Sequence, residues 1–168
     1  MTQGPRYRVK PRRRREGRTD YRKRLSLLRS NKTRMVVRKT NNQTIVQFVE
    51  YKEKGDHIIA QAISKELKTN FNWKFSTSNT PAAYLTGYLA GMRAKEKKID
   101  ECILDIGRQR PVSGSKLFAS LKGVIDTGID CPHDEKKIPN DDRLKGKHID
   151  EKIGSQVETI LKKISGGK

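Results

Sequence analysis

Acidic side chains are nearly absent from the first forty residues, where Glu16 and Asp20 stand alone against 16 Lys and Arg. This excludes a segment that neutralises itself by internal ion pairing. Cysteine is scarce too: Cys102 and Cys131 are too few for a disulfide framework, and within an apolar strand-like run Cys102 behaves as a small hydrophobe. Cys131 and His133 offer two metal ligands, but no second Cys/His pair lies nearby to complete four-fold coordination. No cofactor or metal is therefore expected. The three histidines, His57, His133 and His148, are far apart and lack a Ser or Cys nucleophile arrangement. No apolar run approaches the ~18 residues that a bilayer span needs. The N-terminus also shows no apolar signal-peptide segment before its arginines, so the chain reads as one that stays in the cytoplasm.

What the chain does have is positive charge, unevenly placed. Of a net charge of +19, the first forty residues carry +14, which leaves 22 basic against 17 acidic side chains in residues 41–168. A polyanion is the natural partner of such an appendage. Residues 1–18 hold only three large apolar side chains, Met1, Tyr7 and Val9, among Gly4, Pro5, Pro11, Gly17 and the arginines. Ordering them costs about 1–2 kcal/mol per residue in backbone entropy, so the arm is expected to order only against a partner. Residues 19–168 are the size of one domain.

Along that domain, Thr19 or Asp20 is an N-cap for a helix with Tyr21, Leu25 and Leu28 on one side and Arg22, Lys23, Arg24 and Arg29 elsewhere, stopped by Asn31 in a left-handed conformation. Arg34 to Lys39, Gln43 to Tyr51 and His57 to Ile63 read as an antiparallel meander, with Asn41-Asn42 taking positive φ in the first turn. A short helical turn covers Ser64 to Asn70. Phe71, Trp73 and Phe75 then plug the space under a loop. Thr80 as cap and Pro81 at the first helical position start a helix that runs to about Lys97, whose Gly87 and Gly91 admit a close neighbour. Cys102 to Gly107 is a buried strand reached by a crossover, hence parallel to an earlier strand. Ser115 to Thr127 is a helix ended by Gly128, residues 129–147 are a long surface excursion, and a last amphipathic helix spans about 149–164. The fold class is α/β, a mixed sheet with packed helices.

Three constellations bear on chemistry. The arm and first helix interleave Arg with Tyr7 and Tyr21, which suits phosphate forks and base stacking better than a solvated tail does. Lys10 and Arg38 add to that cationic surface. Next, Gly107 to Lys116 joins a strand to a helix N-terminus, where Arg108, Arg110, Ser113, Ser115 and Lys116 suit a phosphate. It is not a nucleotide-hydrolase loop, because six residues separate Gly107 from Gly114 where the motif requires four. Last, strand alternation places Glu101 and Asp105 on one face, the minimum for a metal-dependent nuclease, but no third acid converges on them. Asp105 is better read as an acceptor for a loop or a partner for an Arg.

Several blocks in one order carry a resemblance. Gly4-Pro5-Arg6-Tyr7, Arg12 through Tyr21, Arg24-Leu25 and Leu27-Leu28 open it; Ser78 through Gly87, Leu104-Asp105-Ile106-Gly107, Gly114 through Ala119, Asp126-Thr127-Gly128 and Pro132-His133 continue it. Together they resemble the archaeal and eukaryotic family of large-subunit ribosomal protein eighteen, the 5S rRNA binders, over about residues 4–148, with a length like that of the archaeal branch. The resemblance implies a ribonuclease-H-like body of the kind used in translational machinery, without catalytic acids. It also implies a role joining 5S rRNA to the large rRNA in the central protuberance, beside ribosomal protein five of that subunit. By carry-over, Arg6, Tyr7, Arg8, Arg12, Arg13, Arg14, Arg15 and Arg18 of the arm, with Tyr21, Arg24, Lys32 and Arg34, would hold RNA. Arg22, Lys10 and Arg38 join that expected surface on charge alone. The expected protein is a non-enzymatic ribonucleoprotein component with no membrane and no small-molecule substrate. The rival readings are a metal-dependent RNA nuclease and a general basic protein that compacts nucleic acid.

Overall fold

The computed structural model describes residues 4–166. Residues 1–3 of the expected arm and 167–168 lie outside the described residues.

The arm carries one helical turn, α1 (Arg12–Arg15), whose four arginines are all exposed. Asp20 then starts α2 (Tyr21–Leu28), its carboxylate accepting from the backbone N–H groups of Arg22 and Lys23. Asn31 follows at φ 53, the left-handed stop expected of it. No residue of α2 is buried: Tyr21 is 40% and Leu25 54% exposed. Of the apolar side read from the sequence, Tyr21 and Leu25 therefore point away from the body, and Leu28 is half-buried. Lys23, Arg24 and Leu27 line the cleft between α2 and the sheet.

A four-stranded sheet of order β3-β2-β1-β4 forms the centre. β1 (Arg34–Lys39), β2 (Thr44–Glu50) and β3 (His57–Ile63) are the antiparallel meander, and β4 (Ile103–Asp105) pairs parallel to β1, as the crossover argument requires. The first turn does not use positive φ at Asn41 or Asn42. Thr40 builds it, its N–H donating to the Gln43 carbonyl at 2.8 Å and its Oγ1 accepting from the N–H groups of Asn42 and Gln43. A side-chain hydroxyl here does what a left-handed backbone would otherwise do.

Alternation sends Met35, Val37, Val46, Phe48, Ala60 and Ala62 to the inner face, all at most 8% exposed. That face is covered by α4 (Thr80–Glu96) and α5 (Lys116–Asp126), which follow α3 (Lys65–Phe71) in the chain. Asn79, rather than Thr80, caps α4, accepting from the Ala82 N–H at 2.9 Å, and Pro81 sits in the first turn as expected. α4 and α5 approach so closely that a Cβ on Gly87 would stand 2.0 Å from the Ser120 carbonyl oxygen, and one on Gly123 would stand 2.2 Å from that of Tyr84. Any side chain there pushes the helices apart.

Residues 129–147 are more structured than a loose excursion. Asp130 forms a parallel bridge with Glu101, Glu135–Lys137 is a 3-10 turn, and α6 (Asp141–Leu144) buries Leu144. α7 (Glu151–Gly166) packs against α4 through Ile153, Val157, Ile160 and Ile164, on the spacing legible in the sequence. Trp73 is 3% exposed and stacks edge-on against Phe75 with ring centroids 5.5 Å apart.

Candidate nucleic-acid interface

On the outer face of the sheet the register sets Asp105 opposite Val36, with Arg34 and Arg38 two residues either side. Arg34 Nη1 donates to Asp105 Oδ2 at 3.0 Å, and Nη2 lies 2.9 Å from Asp56 Oδ2. Asp105 Oδ1 also accepts from the Gly107 N–H at 2.8 Å, so Asp105 takes the loop-acceptor and Arg-partner roles read from the sequence. Arg34 corrects the expectation for it: at 3% exposure, held between two carboxylates, it is a strut of the body and presents no surface to RNA.

Asp56 does double duty. Arg24 Nη2 reaches both of its oxygens, at 2.9 and 2.8 Å, which ties α2 to the sheet. Lys23 Nζ adds a contact to the Gly107 carbonyl at 3.5 Å. Between α2 and the sheet lies a cleft of about 340 Å³ lined by Arg13, Arg18, Arg24, Arg34 and Arg38, but also by Asp20, Asp56 and Asp105. Arg38 donates to the carbonyls of Val37 and Asp105. Its three carboxylates offset half of the six cations that line it, Lys23 included, and each is engaged: Asp56 and Asp105 in ion pairs and Asp20 in capping α2.

A second cleft, of about 730 Å³, is different. Tyr7, Lys10, Arg14, Arg15, Tyr21, Arg22 and Arg108 line it, and its one carboxylate, Asp20, is already engaged in capping α2. Five cations and two phenol rings thus face one concavity with little opposing charge. That combination has the chemistry that suits a phosphate backbone, with rings of the kind on which bases stack.

The strand-to-helix loop divides its residues between two clefts. Arg108 turns to the arm, where its Nη1 would be 3.1 Å from a Cβ placed on Gly17. Arg110 is exposed. Ser113 instead shares a cleft of about 540 Å³ with Lys136, Arg143 and His148, three residues that sequence reasoning left out because they lie in a stretch of mixed charge. Ser115 occupies the N-cap position of α5, yet its hydroxyl is buried and unpartnered. Partial burial and the neighbouring Lys39 hold the Lys116 ammonium below the ordinary lysine range.

Of the other expected residues, Arg6 and Arg8 are exposed, Arg12 lies 3.7 Å from Glu16, and Lys32 pairs with Glu101, which raises the lysine's pKa. Glu101 and Asp105, the carboxylates of the nuclease reading, are therefore each held by a cation. Among the described residues no group of three or more His, Cys, Asp or Glu could hold a metal ion. No helix among them is long and apolar enough to cross a membrane.

Comparison with known proteins matches this chain to a family described as ribosomal large subunit proteins 60S L5 and 50S L18, over residues 5–100 and 91–134. The chain is 56% identical over 149 residues to the large ribosomal subunit protein uL18 of Korarchaeum cryptofilum, an alignment covering 89% of this chain and 76% of that protein. It is 52% identical over 149 residues to the protein of the same name from Aeropyrum pernix, covering 89% and 70%. With its basic arm, its mixed sheet and matches of this extent, the chain belongs to the large-subunit ribosomal protein family of 60S L5 and 50S L18.

Proposed function

We propose that this chain is a structural constituent of the large ribosomal subunit that binds 5S rRNA and attaches it to the large rRNA. In this reading it sits in the central protuberance, beside ribosomal protein five of that subunit, in the cytoplasm. One observation carries the RNA reading: five cations and two tyrosines from the arm, α2 and the β4–α5 loop share a concavity with a single, already occupied carboxylate. Membership of a ribosomal large-subunit family supports the assignment to the ribosome. Sheet order β3-β2-β1-β4, with three antiparallel strands and the fourth parallel to β1, supports a ribonuclease-H-like body.

Residues 1–18 then act as an RNA-binding arm on the domain formed by 19–168. Phosphate contacts supply most of the affinity, and the body selects RNA by shape and exposed bases. If about 6–10 cations neutralise phosphates, binding falls by roughly 10³–10⁵ between about 50 and 200 mM salt.

Competition between 5S rRNA and duplex DNA for the full chain tests the proposal. RNA should win by a wide margin; equal competition would establish a general compacting protein instead. A parallel incubation with structured RNA and magnesium should leave the RNA intact, and specific cleavage abolished by Glu101→Gln would establish the nuclease.

A further inference from the structure

Cys102 and Cys131 lie 29 positions apart in the sequence and side by side in the fold. Asp130 donates its N–H to the Asp100 carbonyl, and the Cys102 N–H returns to the Asp130 carbonyl, both at 2.9 Å, which makes Glu101 and Asp130 direct partners across a parallel bridge. One residue further along each segment, Cys102 and Cys131 stand opposite each other and turn to the other face. Both side chains enter the core, at 0% and 1% exposure, and both are free thiols. Neighbouring parallel segments lie about 4.8 Å apart, inside the Cα separation that a disulfide accepts.

We propose that Cys102 and Cys131 are a modification site, a thiol pair that a peroxide closes into an intramolecular disulfide. The two sulfurs are inequivalent. The neighbouring Cys102 thiol favours the charged form of Cys131 against the opposing effect of burial, while pairing and burial raise the Cys102 pKa. Cys131, flanked by the exposed Pro132 and His133, is the sulfur that a small oxidant reaches first and so attacks first. Its sulfur bonds to one peroxide oxygen, the O–O bond breaks, and the other oxygen leaves as water or alcohol after taking up the proton from Cys131. The Cys102 sulfur then attacks the sulfenic acid, the S–O bond breaks, and water departs with the Cys102 proton. Two thiols lose two electrons in all, and one peroxide is reduced. Pro132 and His133, exposed beside Cys131, mark the side from which a small oxidant arrives once the Asp130 bridge opens.

The cross-link would tie residues 129–134 to β4 and enclose α5 in a closed loop. The test treats the full-length protein with hydrogen peroxide under native conditions, alkylates it after unfolding, and measures intact mass. The expected product is a monomer lighter by two hydrogens that takes up no alkyl group until reduced, and that melts roughly 5 °C or more above the reduced form. In Cys102→Ser, the sulfenic acid on Cys131 should persist and be trapped by dimedone. Two alkylatable thiols after peroxide, or disulfide-linked dimers in place of the cross-linked monomer, would overturn the proposal.

Discussion

Arg34 and Asp105 form an ion pair inside the body, 3.0 Å apart with side chains 3% and 9% exposed, on neighbouring parallel strands that are 71 positions apart in the sequence. It welds the fourth strand to the meander on the face opposite the apolar core. Removing one partner of a buried pair leaves a desolvated charge, so Asp105→Ala should lower stability by about 3 kcal/mol or more. Urea unfolding followed through Trp73, the chain's single tryptophan, reads this directly. A loss under about 1 kcal/mol would mean that Asp56 alone satisfies Arg34.

The α4–α5 seam depends on missing side chains. Gly87→Ala should destabilise by about 1–3 kcal/mol, because its methyl would meet the Ser120 carbonyl. Gly154→Ala, on α7 with its nearest atom at 3.7 Å, should instead stabilise by roughly 0.5–1 kcal/mol through helix propensity alone. Measuring the two side by side separates close approach from a general sensitivity of helical glycines.

Deleting residues 1–18 should leave the melting temperature nearly unchanged while weakening RNA binding and flattening its salt dependence. The melting scan and a binding titration at several salt concentrations check the two halves of this prediction separately. Unfolding of the body on deletion would contradict the division into arm and domain.

Lys116 carries a signed prediction. Because folding depresses its pKa through burial and then through Lys39, the folded chain binds fewer protons than the unfolded one between the two pKa values. Its charge there opposes folding, and stability rises with pH across that window. Lys116→Met should therefore melt no lower than the parent at neutral pH. If the ammonium meets a phosphate, the same variant lowers the salt slope of RNA binding by about one.

Arg24→Ala should loosen α2 without touching the sheet, because Arg24 supplies the bidentate contact to Asp56. Amide hydrogen exchange should quicken at residues 21–28 and stay unchanged in β1 and β2.

Elements whose identity depends on near neighbours were legible in the sequence: the meander, the Pro81 helix start, the Asn31 stop, the parallel return of β4 and the apolar spacing of α7. Asp105 was read correctly because an acid at a strand end next to Gly107 has few other uses. What could not be read depends on distant partners. Nothing near Arg34 distinguishes a strut from an RNA contact, since both of its carboxylates come from other segments. The orientation of α2 was not legible for the same reason, because periodicity shows that a helix has two sides without saying which one meets the body. Lys136, Arg143 and His148 were invisible as a group until α6 and the 3-10 turn brought them to Ser113.

A helix with no buried residue, fastened through Arg24 to one aspartate and through Lys23 to one carbonyl, is held by a latch rather than by glue. Beyond the half-buried Leu27 and Leu28 its attachment is electrostatic, while the α4–α5 seam is steric, so added salt should loosen the first and leave the second intact. Ribose-phosphate chains compete for those same cations. Docking on RNA can therefore reposition this jaw without loosening the sheet beneath it.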